Sequence, residues 1–134
     1  MAQPLLLYGL TITVFLALDA VGIKFMIRPV FEQHVGHLLA EQMRVLPALL
    51  YYLTYVAGLV WMVSLPALKE LQPLQALASG VVLGFLCYGT YELTNFATLA
   101  DWTLEQVLID LAWGAALTGF AAWAGVAILS GRLA

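Results

Sequence analysis

Asp19, Glu92 and Asp110 each interrupt a stretch of otherwise apolar sequence. Carboxyls in such surroundings can bind a cation or an amine, accept hydrogen bonds, or hold and move a proton. They are also expensive: an Asp at the centre of a membrane helix costs about 2.5–3.5 kcal/mol, whereas a Leu, Ile, Phe or Val gains about 0.3–0.6. The segment holding Glu92 and Asn95 gains roughly 4 kcal/mol from its apolar residues on that scale, and those two polar groups offset nearly all of it. They must therefore face partners inside a bundle rather than lipid. Tyr51, Tyr55, Tyr88 and Trp113 occur in neighbouring stretches and could supply hydroxyl and indole donors.

Other chemistry is thin. Cys87 is the lone cysteine, so no disulfide and no cysteine metal site is expected. His34 and His37 lie three apart on a polar segment and lack a third ligand, so an interfacial structural role is expected and no metal. Nothing resembles a Ser–His–Asp set, a phosphate loop or a haem pair. No cofactor is expected, and binding is favoured over catalysis.

The elements that carry these residues follow from composition. The chain has 134 residues, of which 63% are hydrophobic and only 10% charged. Soluble domains carry roughly 25% charged residues, and the mean hydropathy here is +0.96. A nucleic-acid binder, a secreted disulfide scaffold and a disordered tail are excluded. The expected fold is an all-α bundle of four transmembrane helices over residues 5–26, 45–68, 74–99 and 103–129, forming one integral membrane domain. An amphipathic interfacial helix is expected over 29–43, between spans one and two, with Phe31, Val35, Leu38, Leu39 and Met43 on its apolar stripe. Thr103 and Gln106 have capping-box spacing at the start of the fourth span. The apolar run from Leu5 exceeds a signal-peptide core and lacks a basic leader, so it reads as a retained span. An integral membrane location is expected.

Depth brings the carboxyls together. At 1.5 Å per residue, Asp19 lies about 8 Å below the first loop, Glu92 about 13 Å and Asp110 roughly 11 Å below the third. Loops one and three share a side, so all three fall in one leaflet. Helical phase agrees. Tyr8, Thr11, Phe15, Asp19 and Gly22 share a face of the first span; Tyr51, Tyr55, Gly58 and Met62 share one of the second. Gly84, Tyr88, Glu92 and Asn95 do so on the third, and Asp110, Gly114 and Leu117 on the fourth with Trp113 alongside. Carboxyls so grouped should share protons, some donating to the others or to tyrosines. The candidate ligand-binding set is Asp19, Tyr51, Tyr55, Tyr88, Glu92, Asn95, Asp110 and Trp113. Gly80 and Gly84 form a GxxxG run that permits close packing inside the bundle or between two copies.

The run Tyr88-Gly89-Thr90-Tyr91-Glu92-Leu93-Thr94-Asn95-Phe96-Ala97-Thr98-Leu99, followed by Trp102 and Asp110-Leu111-Ala112-Trp113-Gly114, resembles the core of a bacterial membrane family. That family is labelled domain of unknown function 2177. Phe15 to Asp19, Gly36-His37-Leu38-Leu39 and Tyr51 to Leu59 extend the resemblance over essentially the whole chain. Two positions depart from it: Glu92 stands where the family has Asp, and Gly22 where a Trp is expected. The resemblance implies four spans and a polar site, and names no reaction.

Three functional readings follow. The first is a site that binds or processes a lipid-like amphiphile, its acyl part against Phe15, Met62 and Leu117, its head near Asp19, Glu92, Asn95 and Asp110, and loop one as a lid. The second is a non-enzymatic accessory subunit of a larger membrane complex. The third is proton-coupled transport as a dimer, which could pair through Gly80 and Gly84. The expected partner is membrane lipid, with no nucleic acid.

Overall fold

A computed structural model describes residues 2–133. Among them there is no strand, and four helices are long and apolar enough to cross a membrane. The first span begins as α1 (Ala2–Gly22), passes through a π-helical turn (Ile23–Ile27) and continues as α2 (Arg28–Val35). The second is α3 (Val45–Leu59), a π-helical turn (Val60–Ser64) and α4 (Leu65–Lys69). The third is α5 (Pro73–Thr98) and the fourth α6 (Leu104–Leu133). Ala2, Gln3 and Pro4 sit beside Leu133 and the α4 end, so both ends of the described chain lie at the loop-two face of the bundle.

The expected interfacial helix differs in two ways. It is a continuation of the first span, with helical backbone through Gly22 and Arg28, and it stops at Leu38 rather than 43. Gly36 opens a single 3-10 turn, after which Leu39 and Arg44 are extended. The chain must reverse between antiparallel helices, and Leu39 to Arg44 make that reversal. Met43 is therefore on the connector and exposed.

Small residues set the tightest packing. The third and fourth spans meet along Gly80 and Gly84 on α5 and Gly114, Thr118 and Gly119 on α6. A Cβ at Gly80 would lie 2.8 Å from the Gly119 Cα, and one at Gly84 2.5 Å from the Gly114 carbonyl oxygen. Without a hydrophobic force between helices in lipid, such close approach is what holds a pair together. The GxxxG face thus packs against α6 within the chain. At the start of α6 the capping box forms as its spacing predicts: Gln106 N–H donates to Thr103 Oγ1 at 3.3 Å, and Thr103 N–H to Gln106 Oε1 at 3.0 Å.

The second span is bound unevenly. Its loop-two half, from Val60 to Lys69, packs on α1, α5 and α6, whereas α3 leans chiefly on α1. Tyr55 links α3 to the fourth span through a 2.9 Å hydrogen bond with Thr118. Open space remains on both sides of α3.

Two outcomes check this architecture. Reporter fusions at Gln3 and at Arg132 should map to one compartment. Gly84→Ala should lower the thermal midpoint in detergent, because its Cβ overlaps backbone of α6. Gly9→Ala should raise it, with a stability gain of about 0.5–1 kcal/mol, because nothing lies within 4 Å of that Cβ and Gly weakens a helix interior.

Candidate functional site

Asp19 enters the bundle on the buried face of α1, below Thr11 and Phe15 and one turn before Gly22. It is 4% exposed. Trp113 of α6 donates its indole N–H to Asp19 Oδ1 at 3.3 Å. The indole reaches that position by lying over Gly22, where any Cβ would overlap its ring. Gly22 stands where the resemblance implies a Trp, and here the indole over that spot comes from α6. Tyr52 places its hydroxyl beside the same carboxyl.

Glu92 is fully buried on α5. Trp102, in the turn before α6, donates its indole N–H to Glu92 Oε1 at 2.9 Å. Its other oxygen, Oε2, has no hydrogen-bond partner among the described residues, and neither has the buried Nε2 of Gln106. Asp110, 7% exposed, neighbours Glu92 and lies near Asp19. Carboxyls this close in an apolar bundle persist only when N–H donors, protons or cations offset them. Two tryptophans supply the donors.

Trp102 also ties the layer to the chain end of the first span. Phe31 meets its ring edge-on at 5.4 Å, and Tyr91 does so at 5.7 Å. Val35 and Val107 close the cluster. Outside it, His34 Nε2 lies 3.4 Å from Glu105 Oε1, and His37 Nε2 lies 2.9 Å from Asp101 Oδ2. Both histidines therefore pin α2 and its 3-10 turn to the start of the fourth span.

A cleft of about 600 Å³ opens between α3 and α5. Asp19, Asp110, Tyr52 and Tyr88 form its polar wall, Tyr51 and Tyr91 flank its opening, and Ile27 and Phe31 cover the loop-one end. Tyr51 and Tyr91 are 54% and 52% exposed, which puts that opening on the lipid-facing side. Cys87, Thr90 and Thr94 complete the α5 wall. No Lys, Arg or His lines it.

The residues picked out from sequence divide accordingly. Asp19, Tyr51, Tyr88 and Asp110 line the cleft, with Trp113 holding Asp19. Tyr55 is buried behind Tyr51, stacked on its ring at 5.7 Å and bonded to Thr118. Glu92 lies outside the cleft lining. Asn95 is half-buried near the end of α5; its carbonyl takes the Leu99 N–H, and it lines no cleft.

The expected acyl wall is not where the sequence put it. Phe15 and Leu117 are core residues at 0% and 2% exposure, and Met62 is 58% exposed on the outer face of the second span. The inward face of that span is Tyr52, Tyr55, Val56, Leu59 and Val63, so of the expected stripe of Tyr51, Tyr55, Gly58 and Met62 only Tyr55 is buried. A polar stripe need not be the inward one where tyrosines can border a cleft. Tyr52 and Trp102 are the residues that sequence reasoning missed. Tyr52 sits beside Tyr51 without sharing its stripe, and Trp102 lies between the third and fourth spans, on no helical stripe. Its nearness to Glu92 depends on the turn at 99–103.

The family model for "predicted membrane protein (DUF2177)" matches residues 4–127. The chain belongs to that family. No curated protein and no solved structure matches it. As a member of DUF2177 it is an integral membrane protein, and the match spans all four helices and every residue of the polar layer.

The indole bonds make a measurable claim. Trp102→Phe removes the donor to Glu92 and should cost about 1–3 kcal/mol of stability in detergent melts. Glu92→Leu should cost at least as much alone. The double variant should be clearly less destabilised than the sum, because each change already breaks the same bond.

Proposed function

We propose that the cleft between α3 and α5 binds an amphiphile that enters sideways from the lipid. The observation that carries the reading is the lining: two carboxyls, four tyrosines and two threonines around about 600 Å³ with no cation among them. That volume falls within the range of small-ligand sites. An anionic head would meet Asp19 and Asp110 unpaired, so the favoured head is cationic or a neutral polyol rich in hydroxyl donors. The polar end would lie between Asp19 and Asp110, and the chain would leave past Tyr51 and Tyr91. Phe31 and Ile27 would close the loop-one end, which gives α2 the role of lid.

The same geometry favours holding over converting. Cys87 is a half-buried free thiol, and neither histidine lines the wall to activate it. Thiol catalysis would need such a base within hydrogen-bond reach.

Cys87 supplies the test. It is the lone cysteine and lines the cleft, so a membrane-permeant maleimide should label it slowly in protein purified with its native amphiphile. Labelling should speed up after delipidation. Asp19→Asn and Asp110→Asn should speed it in the same way while leaving the fold intact, with loss of the copurifying amphiphile seen by mass spectrometry. Folded variants with unchanged labelling and unchanged bound lipid would defeat the reading and favour the accessory-subunit alternative.

A further inference from the structure

A second cleft lies on the opposite side of α3. It measures about 630 Å³ and runs between the first and second spans, with Leu16, Ala20 and Ile23 on one wall and Val45, Ala48 and Leu49 on the other. Asp19, Ile23 and Tyr52 border both clefts and so form the partition between them. Unlike the first, the second cleft is mostly apolar and carries Lys24 and Arg28 at its loop-one end.

These two cations are unequally satisfied. The Arg28 guanidinium pairs with Glu32 at 2.7 Å, on the exposed surface. Lys24 forms no ion pair among the described residues, and its ammonium sits 5.4 Å from the centroid of the Phe25 ring. A lysine near the end of a span places its charge at the headgroup level. The groove below it is apolar and descends about 12 Å from Lys24 to Leu16. One leaflet contributes about 15 Å of hydrocarbon. A single acyl chain therefore fits the groove with its headgroup at the cations.

We propose that the cleft between α1 and α3 is a second lipid site, selective for a lipid with an anionic phosphate headgroup. The phosphate sits on Lys24 and Arg28, and one acyl chain lies along Leu16, Ala20, Ile23 and Leu49. Asp19 keeps the phosphate at the mouth, since a like charge deeper in the groove opposes its entry. The two sides of α3 thus select opposite headgroups, and this site does not depend on the ligand proposed for the first cleft.

Native mass spectrometry of the full chain, titrated with phosphatidylglycerol and phosphatidylcholine of matched chains, tests the assignment. Wild type should retain phosphatidylglycerol preferentially. Lys24→Gln should weaken that binding about fivefold, the effect of one basic residue near an anionic lipid surface, and Lys24→Arg should restore it. Ala48→Phe fills the groove without changing charge, and should abolish retention; Ala20→Phe fills it from the other wall should the first variant fail to fold. Lys69→Gln, the same change of charge at the loop-two face, should leave phosphatidylglycerol binding unchanged, because Lys69 does not line this cleft. Inorganic phosphate at the lipid's concentration should not compete. Equal retention of both lipids, a preference that survives the folded groove-filling variants, or displacement by inorganic phosphate would each overturn the proposal.

Discussion

The Trp113 N–H reaches Asp19 only because Gly22 leaves its indole room, and the polar half of the bundle is arranged around that contact. A carboxyl at this depth needs a donor, and a donor on a rigid aromatic plane needs a gap in the facing helix. With Asp19 held from α6, Tyr52 can lie on its other side, and Asp110 can share the cleft one turn before Trp113. Trp102 does the same for Glu92 from the turn preceding α6. Both indoles come from the same stretch of chain, so the start of the fourth span fixes the positions of acids on the first and third.

Packing density explains where open space remains. Glycines on α5 and α6 let their backbones touch, and Gly125 admits Thr11 of α1 against the same helix. The first, third and fourth spans thus form a dense unit. The second span offers no comparable small-residue face over Val45 to Leu59, and carries Tyr51, Tyr52 and Tyr55 instead. Bulky rings hold α3 at a distance, and a cleft forms on each side of it. The polar layer sits beside that loosely held helix rather than at the centre of a closed bundle.

The sequence alone located much of this. Counting apolar runs gives four spans, and helical phase gives the inward faces of the first, third and fourth, where Asp19, Glu92 and Asp110 are each buried as expected. Those faces are legible because their polar residues have no alternative but to turn inward. The second span has no carboxyl to fix its rotation. Its tyrosines are amphipathic and sit equally well in a core or at a lipid-facing opening, so phase based on Tyr51 misses the face carrying Tyr52. Trp102 was illegible for another reason. Its contact with Glu92 is set by how tightly the chain turns after Leu99, and that turn has no glycine or proline to announce it. The continuity of α1 with α2 was hidden likewise, since Pro29 looks like a fresh helix start and here follows a π-helical turn without a break.

That π-helical turn, Ile23–Ile27, has a consequence for how the chain tolerates insertions and deletions. A π-turn holds one residue more than the α-turn it replaces. Removing a single residue there would restore an α-turn that closes over one residue fewer, so α2 would keep nearly the same azimuth. The same deletion between Asp19 and Gly22, in regular α-helix, would rotate everything beyond it by about 100°. Phe31 and Val35 would then swing off Trp102, and the two histidines would leave Asp101 and Glu105. The cover over the loop-one end of the cleft is therefore indexed by residue count, and Ile23–Ile27 is a place where that count can change by one without moving it.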